Sequence, residues 1–202
     1  MELYLLRHGL SLANTAKLVT GSKRDPLCAE GRKQAVEASR LLHHFGLDGD
    51  DVVRFVSDWE RARETAALAA PALHFTTDAR LGETGAGIVA EMPLEEFNQT
   101  NPAFWTAFSP DRAYPGGESH AQLFARVLAW QKELESTLPP EARVLAVTHA
   151  GPVCCLLHAA CKVDLTNFPT FLAAHASLTK LEKIEGGPWR LVFFSLSSEM
   201  MA

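Results

Sequence analysis

The chain has 202 residues and 22.1 kDa, with 47% hydrophobic and 21% charged residues, which suits one α/β domain with a sizeable core. Its formal net charge of −5 and lack of any Lys/Arg cluster disfavour nucleic-acid and anionic-membrane partners, and no apolar run approaches the ~20 residues that span a bilayer. No leader-like segment opens the chain, and Cys28, Cys154, Cys155 and Cys161 lack zinc-finger or disulfide spacing, so a cytoplasmic protein with reduced thiols is expected.

Leu3-Tyr4-Leu5-Leu6 is a short continuous apolar run, the pattern of a strand buried on both faces of a parallel sheet. It stops at Arg7-His8-Gly9, and ligands of open α/β sheets bind just beyond the carboxyl ends of strands. Gly9 allows a tight turn or close approach to a ligand. Taken alone, the pair reads as a surface cation and a satisfied histidine. Its weight comes from matching pieces at later strand ends.

Residues 10–28 form a polar, irregular connection through Thr20-Gly21-Ser22 and Asp25-Pro26-Leu27. A helix is predicted over 30–45, with Ala35, Ala38, Leu41 and Leu42 at three- and four-residue steps and Gly46 at its end. His43 and His44 fall in its last turn, where a cation suits the helix dipole. Residues 52–57 read as a second strand. Asp58 is the expected N-cap of a helix reaching about Ala70, before Pro71. Its first turn carries Arg61, a cation the helix dipole disfavours unless something anionic offsets it. The plainer reading of Arg61 is a surface ion pair with Glu60 or Glu64, worth little.

Residues 73–77 read as a third short strand and 81–85 as a loop. Residues 84–118 form an excursion, with short helices at 93–99 and 102–108 and a turn at 114–117. Ser119 caps a long helix to about Leu138, with Leu123, Val127, Trp130 and Leu134 on one face and Pro139-Pro140 at its end. Residues 143–148 are another buried strand, ending in His149-Ala150-Gly151-Pro152. The helix that follows, to about Cys161, tolerates Pro152 in its first turn. Residues 178–184 and 189–194, joined through Gly186-Gly187-Pro188, read as a hairpin at the sheet edge.

Arg7, His8, Arg61, Glu83 and His149 collect near strand ends. Two guanidiniums can fork-bond the oxygens of a phosphoryl group, which carries roughly −1.5 to −2 charges. A neutral His8 could attack phosphorus through a ring nitrogen, splitting one difficult displacement into two. Arg7, Arg61 and a protonated His149 would stabilise the equatorial oxygens without a metal. Glu83 could protonate the leaving alkoxide and later take a proton from water, provided burial raises its pKa.

Five ordered motifs span most of the chain. They are Leu6-Arg7-His8-Gly9 with Ser11 and Asn14; Ser57-Asp58 with Arg61-Ala62 and Thr65-Ala66; Leu81-x-Glu83; Gly116-Gly117-Glu118-Ser119; and Val147-Thr148-His149-x-Gly151. Together they resemble the signature of the histidine phosphatase superfamily, in its phosphoglycerate-mutase-like branch. The resemblance implies His8 as phosphorylated nucleophile, Arg7, Arg61 and His149 as phosphate pocket, and Glu83 as general acid/base. It also implies that Ser11, Asn14 and the backbone near Gly21 line the pocket. No cofactor or metal is expected. The implied fold is an α/β three-layer sandwich over 1–202. A mainly parallel sheet with an antiparallel edge pair lies between helices, and a lid is inserted at about 84–118. The chain departs from the family pattern at Leu10, often acidic or amide-bearing, and at Ala150, usually glycine. It departs again at Gly87-Ile88-Val89-Ala90-Glu91, in place of Gly-x-x-Glu-Gly, and at His175, often asparagine.

The excursion has one basic residue, Arg112, against Glu91, Glu95, Glu96, Asp111 and Glu118, and it carries Phe97, Phe104, Trp105, Phe108 and Tyr114. A mutase acting on phosphoglycerates must hold a carboxylate and a second phosphate, which calls for extra cations. The expectation is therefore a phosphatase for a small phosphate monoester with a neutral or aromatic body, although the aromatic residues read equally well as lid packing. Lys23 and Arg24 keep a cofactor-dependent phosphoglycerate mutase as the alternative. A non-catalytic phospho-ligand-binding protein is the reading from another class, opposed by the presence of both His8 and Glu83. The scattered histidines oppose a zinc hydrolase. A homodimer stays open, with no exposed apolar stripe arguing for one.

Overall fold

A computed structural model describes residues 1–201. Its strands are β1 (Glu2–Arg7), β2 (Val52–Val56), β3 (Thr76–Thr77), β4 (Arg143–Thr148), β5 (Leu178–Lys183) and β6 (Trp189–Leu196). The helices are α1 (Leu12–Thr15), α2 (Ala29–His44), α3 (Glu60–Ala69), α4 (Leu94–Thr100), α5 (Ala103–Thr106), α6 (His120–Thr137) and α7 (Ala150–Cys161). Six strands form one sheet in the order β3-β2-β4-β1-β5-β6. The first four run parallel, and β5 and β6 are the antiparallel edge pair.

Strand alternation divides the core. Leu3 and Leu5 of β1 with Val144 and Ala146 of β4 face α6 and α7, meeting Leu123, Val127, Trp130, Val153 and Leu157. Tyr4, Leu6, Leu145 and Val147 face α2 and α3, meeting Ala38, Leu41, Ala62 and Ala66. The apolar run in β1 is thus buried on both faces, which only helix-covered parallel strands require. Each fully buried leucine contributes roughly 1.5–3 kcal/mol of transfer free energy.

Three local expectations change. The third strand pairs only at Thr76 and Thr77, because Leu73 and Phe75 pack into the α2–α3 core instead of extending the ladder. The N-cap of α3 is Trp59, with no side-chain cap bond. Asp58 turns away to pair with Lys23 at 2.5 Å, and Ser57 Oγ accepts the Trp59 N–H at 3.2 Å. The 10–28 connection contains α1, closed by a reciprocal Ser11–Asn14 capping box.

Residues 84–118 hold a small core of their own, in which Ala86, Val89, Phe97, Phe104 and Tyr114 enclose Val19 of the 10–28 connection. Backbone bonds between Val19 and both Glu91 and Met92, all 2.9 Å, tie the two segments together. Phe97 and Phe104 are therefore packing residues, whereas Trp105 is 40% exposed. No helix among the described residues is long and apolar enough to cross a membrane.

Candidate active site

The carboxyl ends of β1 and β4 lie side by side, Arg7 opposite Thr148, so His8 and His149 emerge as neighbours with ring centroids 4.9 Å apart. His8 is 3% exposed. Its Nδ1 lies 2.7 Å from the carbonyl oxygen of Gly9, and a carbonyl only accepts, so the proton belongs on Nδ1. Nε2 then carries the lone pair, and Arg61 Nε donates to it at 3.0 Å.

Arg61 is 1% exposed and is not the surface ion pair of the plainer reading. Glu64 is engaged by Arg32 and the Leu27 N–H. The anion that offsets Arg61 at the start of α3 is Asp25, at 3.3 Å from NH1 and itself fixed by the Ala13 N–H. The carbonyls of Thr20 and Ser22 accept from NH2 and NH1, each at 3.0 Å. The Trp59 ring lies 4.7 Å beneath the guanidinium. Burial lowers the Arg61 pKa, opposed by Glu83 and Asp25.

Arg7 donates through NH1 to the Ala173 carbonyl and through NH2 to His175 Nε2 at 2.8 Å, while its Nε is buried without a partner. Burial brings its pKa down to about 10, which leaves it charged at neutral pH. An arginine only donates, so His175 must accept at Nε2 and stay neutral. Burial with Arg7 and Arg61 holds its pKa at about 3.

His149 is fully buried, with Nε2 2.9 Å from Ser57 Oγ and Nδ1 unpartnered. Ser57 satisfies most groups by accepting from Trp59 N–H and donating to His149, which places the His149 proton on the unpartnered Nδ1. The protonated His149 expected from the sequence is a state of the phosphate-bound site. Burial, then Arg61, His8 and Arg7, push its pKa well below 6.5, so the unliganded site favours the neutral ring.

Glu83 lies half-buried, accepting from the backbone N–H of Thr84 and of Gly151, each at 3.0 Å. Gly151 is in the first turn of α7, whose N-terminus suits a carboxylate. A Cβ there would come within 2.0 Å of Glu83 Oε1, so only glycine allows this approach. Arg126 of α6 holds the loop from below, donating to the carbonyls of Arg80, Gly82 and Glu83 while paired with Glu118 at 2.7 Å.

Of the three expected lining residues, Ser11 spends its hydroxyl on the α1 cap, bonding Asn14 Oδ1 at 2.8 Å. Asn14 lies beside the site, its Oδ1 taken by the Ser11 N–H and hydroxyl and 3.2 Å from His175 Nε2, where two acceptors meet without bonding. Gly21 borders a cleft beside Glu83, where a Cβ would stand 2.1 Å from that of Ala86. Sequence reasoning missed Asp25, Trp59, Arg126 and His175 as site neighbours. Their only signals were Asp25 in an otherwise polar loop, Trp59 just past a strand end, and a histidine at an asparagine position. Among the described residues, no group of three His, Cys, Asp or Glu side chains is placed to hold a metal ion.

These buried imidazoles set an acid limit on stability. His8, His149 and His175 are held neutral in the fold, whereas the unfolded chain takes up protons near 6.5. The unfolded state therefore binds more protons below that value. Stability is full above about pH 6.5 and falls as pH drops, by up to about 1.4 kcal/mol per pH unit for each ring. Urea midpoints measured from pH 7 to pH 5 are expected to decline, and less steeply in His175→Asn. Identical slopes for the two proteins would contradict this assignment.

Comparison with known proteins agrees with the geometry. The sequence profile of the histidine phosphatase superfamily (branch 1) matches residues 3–196. A relative from Proteus mirabilis (strain HI4320), named "Probable phosphoglycerate mutase GpmB", is 30% identical over 164 residues, covering 78% of this chain and 73% of its own. A mycobacterial glucosyl-3-phosphoglycerate phosphatase, solved in complex with VO3, superposes with a TM-score of 0.84 at 29% identity, covering 97% of this chain and 99% of that one. A protein from Thermus thermophilus gives a TM-score of 0.75 at 26% identity, with 97% and 99% covered.

Proposed function

The chain belongs to the histidine phosphatase superfamily and is a phosphoric monoester hydrolase, and we propose that it hydrolyses a small phosphate monoester without a metal, through a phosphohistidine on His8. The observation that carries this reading is the lone pair of His8 Nε2, fixed by the Nδ1–H bond to Gly9 and flanked by Arg61, Arg7 and His149. The unpartnered Arg7 Nε and His149 Nδ1 are buried donors suited to phosphoryl oxygens.

In the first step the Arg61 Nε–H turns from His8 Nε2 to a phosphoryl oxygen, the freed Nε2 lone pair attacks phosphorus, the bond to the ester oxygen breaks, and the leaving alkoxide takes a proton from Glu83. The resulting imidazolium keeps its Nδ1–H on the Gly9 carbonyl, which favours the charged ring. In the second step water attacks phosphorus and gives its proton to Glu83, the P–N bond breaks, and inorganic phosphate leaves with His8 neutral again. Arg7, Arg61 and His149 stabilise charge on the equatorial oxygens throughout. Residues 84–118 serve as the lid, with Gly21, Asn14 and, through its cap, Ser11 shaping the pocket rim.

The cleft beside Glu83 is lined by no lysine or arginine. That supports hydrolysis over transfer between phosphoglycerate positions, which needs cations for a carboxylate and a second phosphate. Steady-state phosphate release from a panel of monoesters, with EDTA present, tests the proposal. Release is expected to continue undiminished in EDTA. Conversion of 3-phosphoglycerate to its 2-isomer in the presence of bisphosphoglycerate, without release, would favour the mutase instead. Silence in both assays would favour a binding protein.

A further inference from the structure

A cleft of about 160 Å³ opens directly beside Glu83 and the start of α7, where a leaving group must depart. Besides the Glu83 loop and the start of α7, its walls come from three segments distant in sequence: Val19 and Gly21, then Tyr114 and His120, then Phe168 and Leu172. The third segment, between α7 and β5, carried no site signal in the sequence. Resting on the phosphatase reading, we propose that this cleft is a leaving-group subsite for an uncharged, single-ring alcohol or phenol, and that His120 selects a hydrogen-bonding substituent on that ring.

Charge is the first argument. Glu83 is the one acidic side chain in the lining, and no lysine or arginine joins it there. Lys17 and Arg24, close in sequence to Val19 and Gly21, lie outside the lining, and three other nearby cations are engaged elsewhere. Lys23 pairs with Asp58, Arg112 donates to the Ala103 carbonyl, and Arg126 is spread over Glu118 and three carbonyls. A carboxylate or second phosphate would lie among largely apolar walls with no cation to pair it, which disfavours its binding.

Size is the second argument. An apolar cavity of about 150 Å³ accommodates one benzene ring, and this cleft is close to that volume. A ring bound there would meet the faces and edges of Tyr114 and Phe168.

His120 itself is the third argument. It is 3% exposed and packed against Phe168, Phe108 and Tyr114 at centroid distances of 4.6, 5.4 and 6.0 Å. Neither ring nitrogen has a hydrogen-bond partner among the described residues, and Nδ1 is wholly buried. An imidazole enclosed by aromatic rings without a partner is a costly way to fill space that leucine or phenylalanine would fill well. Burial lowers its pKa, so it sits in the cleft as a neutral ring able to donate at one nitrogen and accept at the other. A hydroxyl on the bound ring matches either role.

The test compares kcat/KM for phenyl phosphate, 4-hydroxyphenyl phosphate and 3-phosphoglycerate in the wild type, His120→Leu and His120→Gln. The wild type is expected to favour both aryl esters over 3-phosphoglycerate, and 4-hydroxyphenyl phosphate over phenyl phosphate. His120→Leu should lower the hydroxylated ester at least about tenfold more than the plain one, and His120→Gln should restore part of that preference. Equal or better turnover of 3-phosphoglycerate, or equal loss of both aryl esters in His120→Leu, overturns the subsite while leaving the phosphatase standing. Absence of turnover on every ester by the wild type overturns the phosphatase reading and this one with it.

Discussion

Replacing His8 with alanine is expected to lower kcat on the order of 10⁴-fold or more, the scale on which nucleophile deletions act. The residual activity should still depend on the ester, because direct attack by water also breaks the bond to the leaving group. Arg61 complicates the variant, since its Nε loses an acceptor in a site that is almost entirely buried. An unsatisfied buried donor costs about 1–3 kcal/mol, so thermal unfolding belongs beside the kinetics. His8→Asn retains an acceptor for Arg61 and should fold with a smaller penalty while remaining equally inactive. Near-normal turnover in either folded variant would remove His8 from the mechanism.

Gly151→Ala is expected to act almost as strongly by a different route. The added methyl meets Glu83 Oε1 at 2.0 Å and Leu123 Cδ2 at 2.9 Å, so the carboxylate must leave its place on the Gly151 N–H. Losing a positioned general acid costs about 10²–10⁴-fold. That loss should depend on the ester. An alkyl phosphate needs its alkoxide protonated as it departs, whereas 4-nitrophenolate leaves readily without a proton. Both Gly151→Ala and Glu83→Gln should therefore lower kcat/KM far more for the alkyl ester than for 4-nitrophenyl phosphate. Equal losses for the two esters would show that Glu83 does something other than protonate the leaving group.

What the sequence made legible was local. Leu3 to Leu6 announced a doubly buried strand, and its abrupt end at Arg7-His8 located one side of the site. Residues 143–148 did the same for His149, and the two ends lie side by side because β1 pairs with β4. The edge hairpin and the long helix capped by Ser119 were equally local, resting on period and turn chemistry.

What was hidden depended on contacts between distant segments. Asp25 meets Arg61 across 36 residues, and Arg126 reaches carbonyls more than 40 residues upstream. Neither pairing leaves a periodic trace. The charge state of His149 in the unliganded site is set by burial and by the closeness of Arg61, His8 and Arg7, none of which a linear pattern records. The residues around Phe168 carry no recognisable motif, yet they form a wall of the cleft beside Glu83. The third strand came out short because its apolar residues found better burial against the α2–α3 face than along the sheet edge.

The central claim is the covalent intermediate, and rapid mixing with a fast aryl ester, quenched in alkaline denaturant, tests it most directly. Phosphohistidine survives alkali, so peptide mass spectrometry can locate the added group. The expected result is one phosphoryl group on the peptide containing His8, appearing within a single turnover and absent from His8→Asn. Full turnover with no phosphorylated peptide at any quench time, or the group found on another residue, would contradict the account.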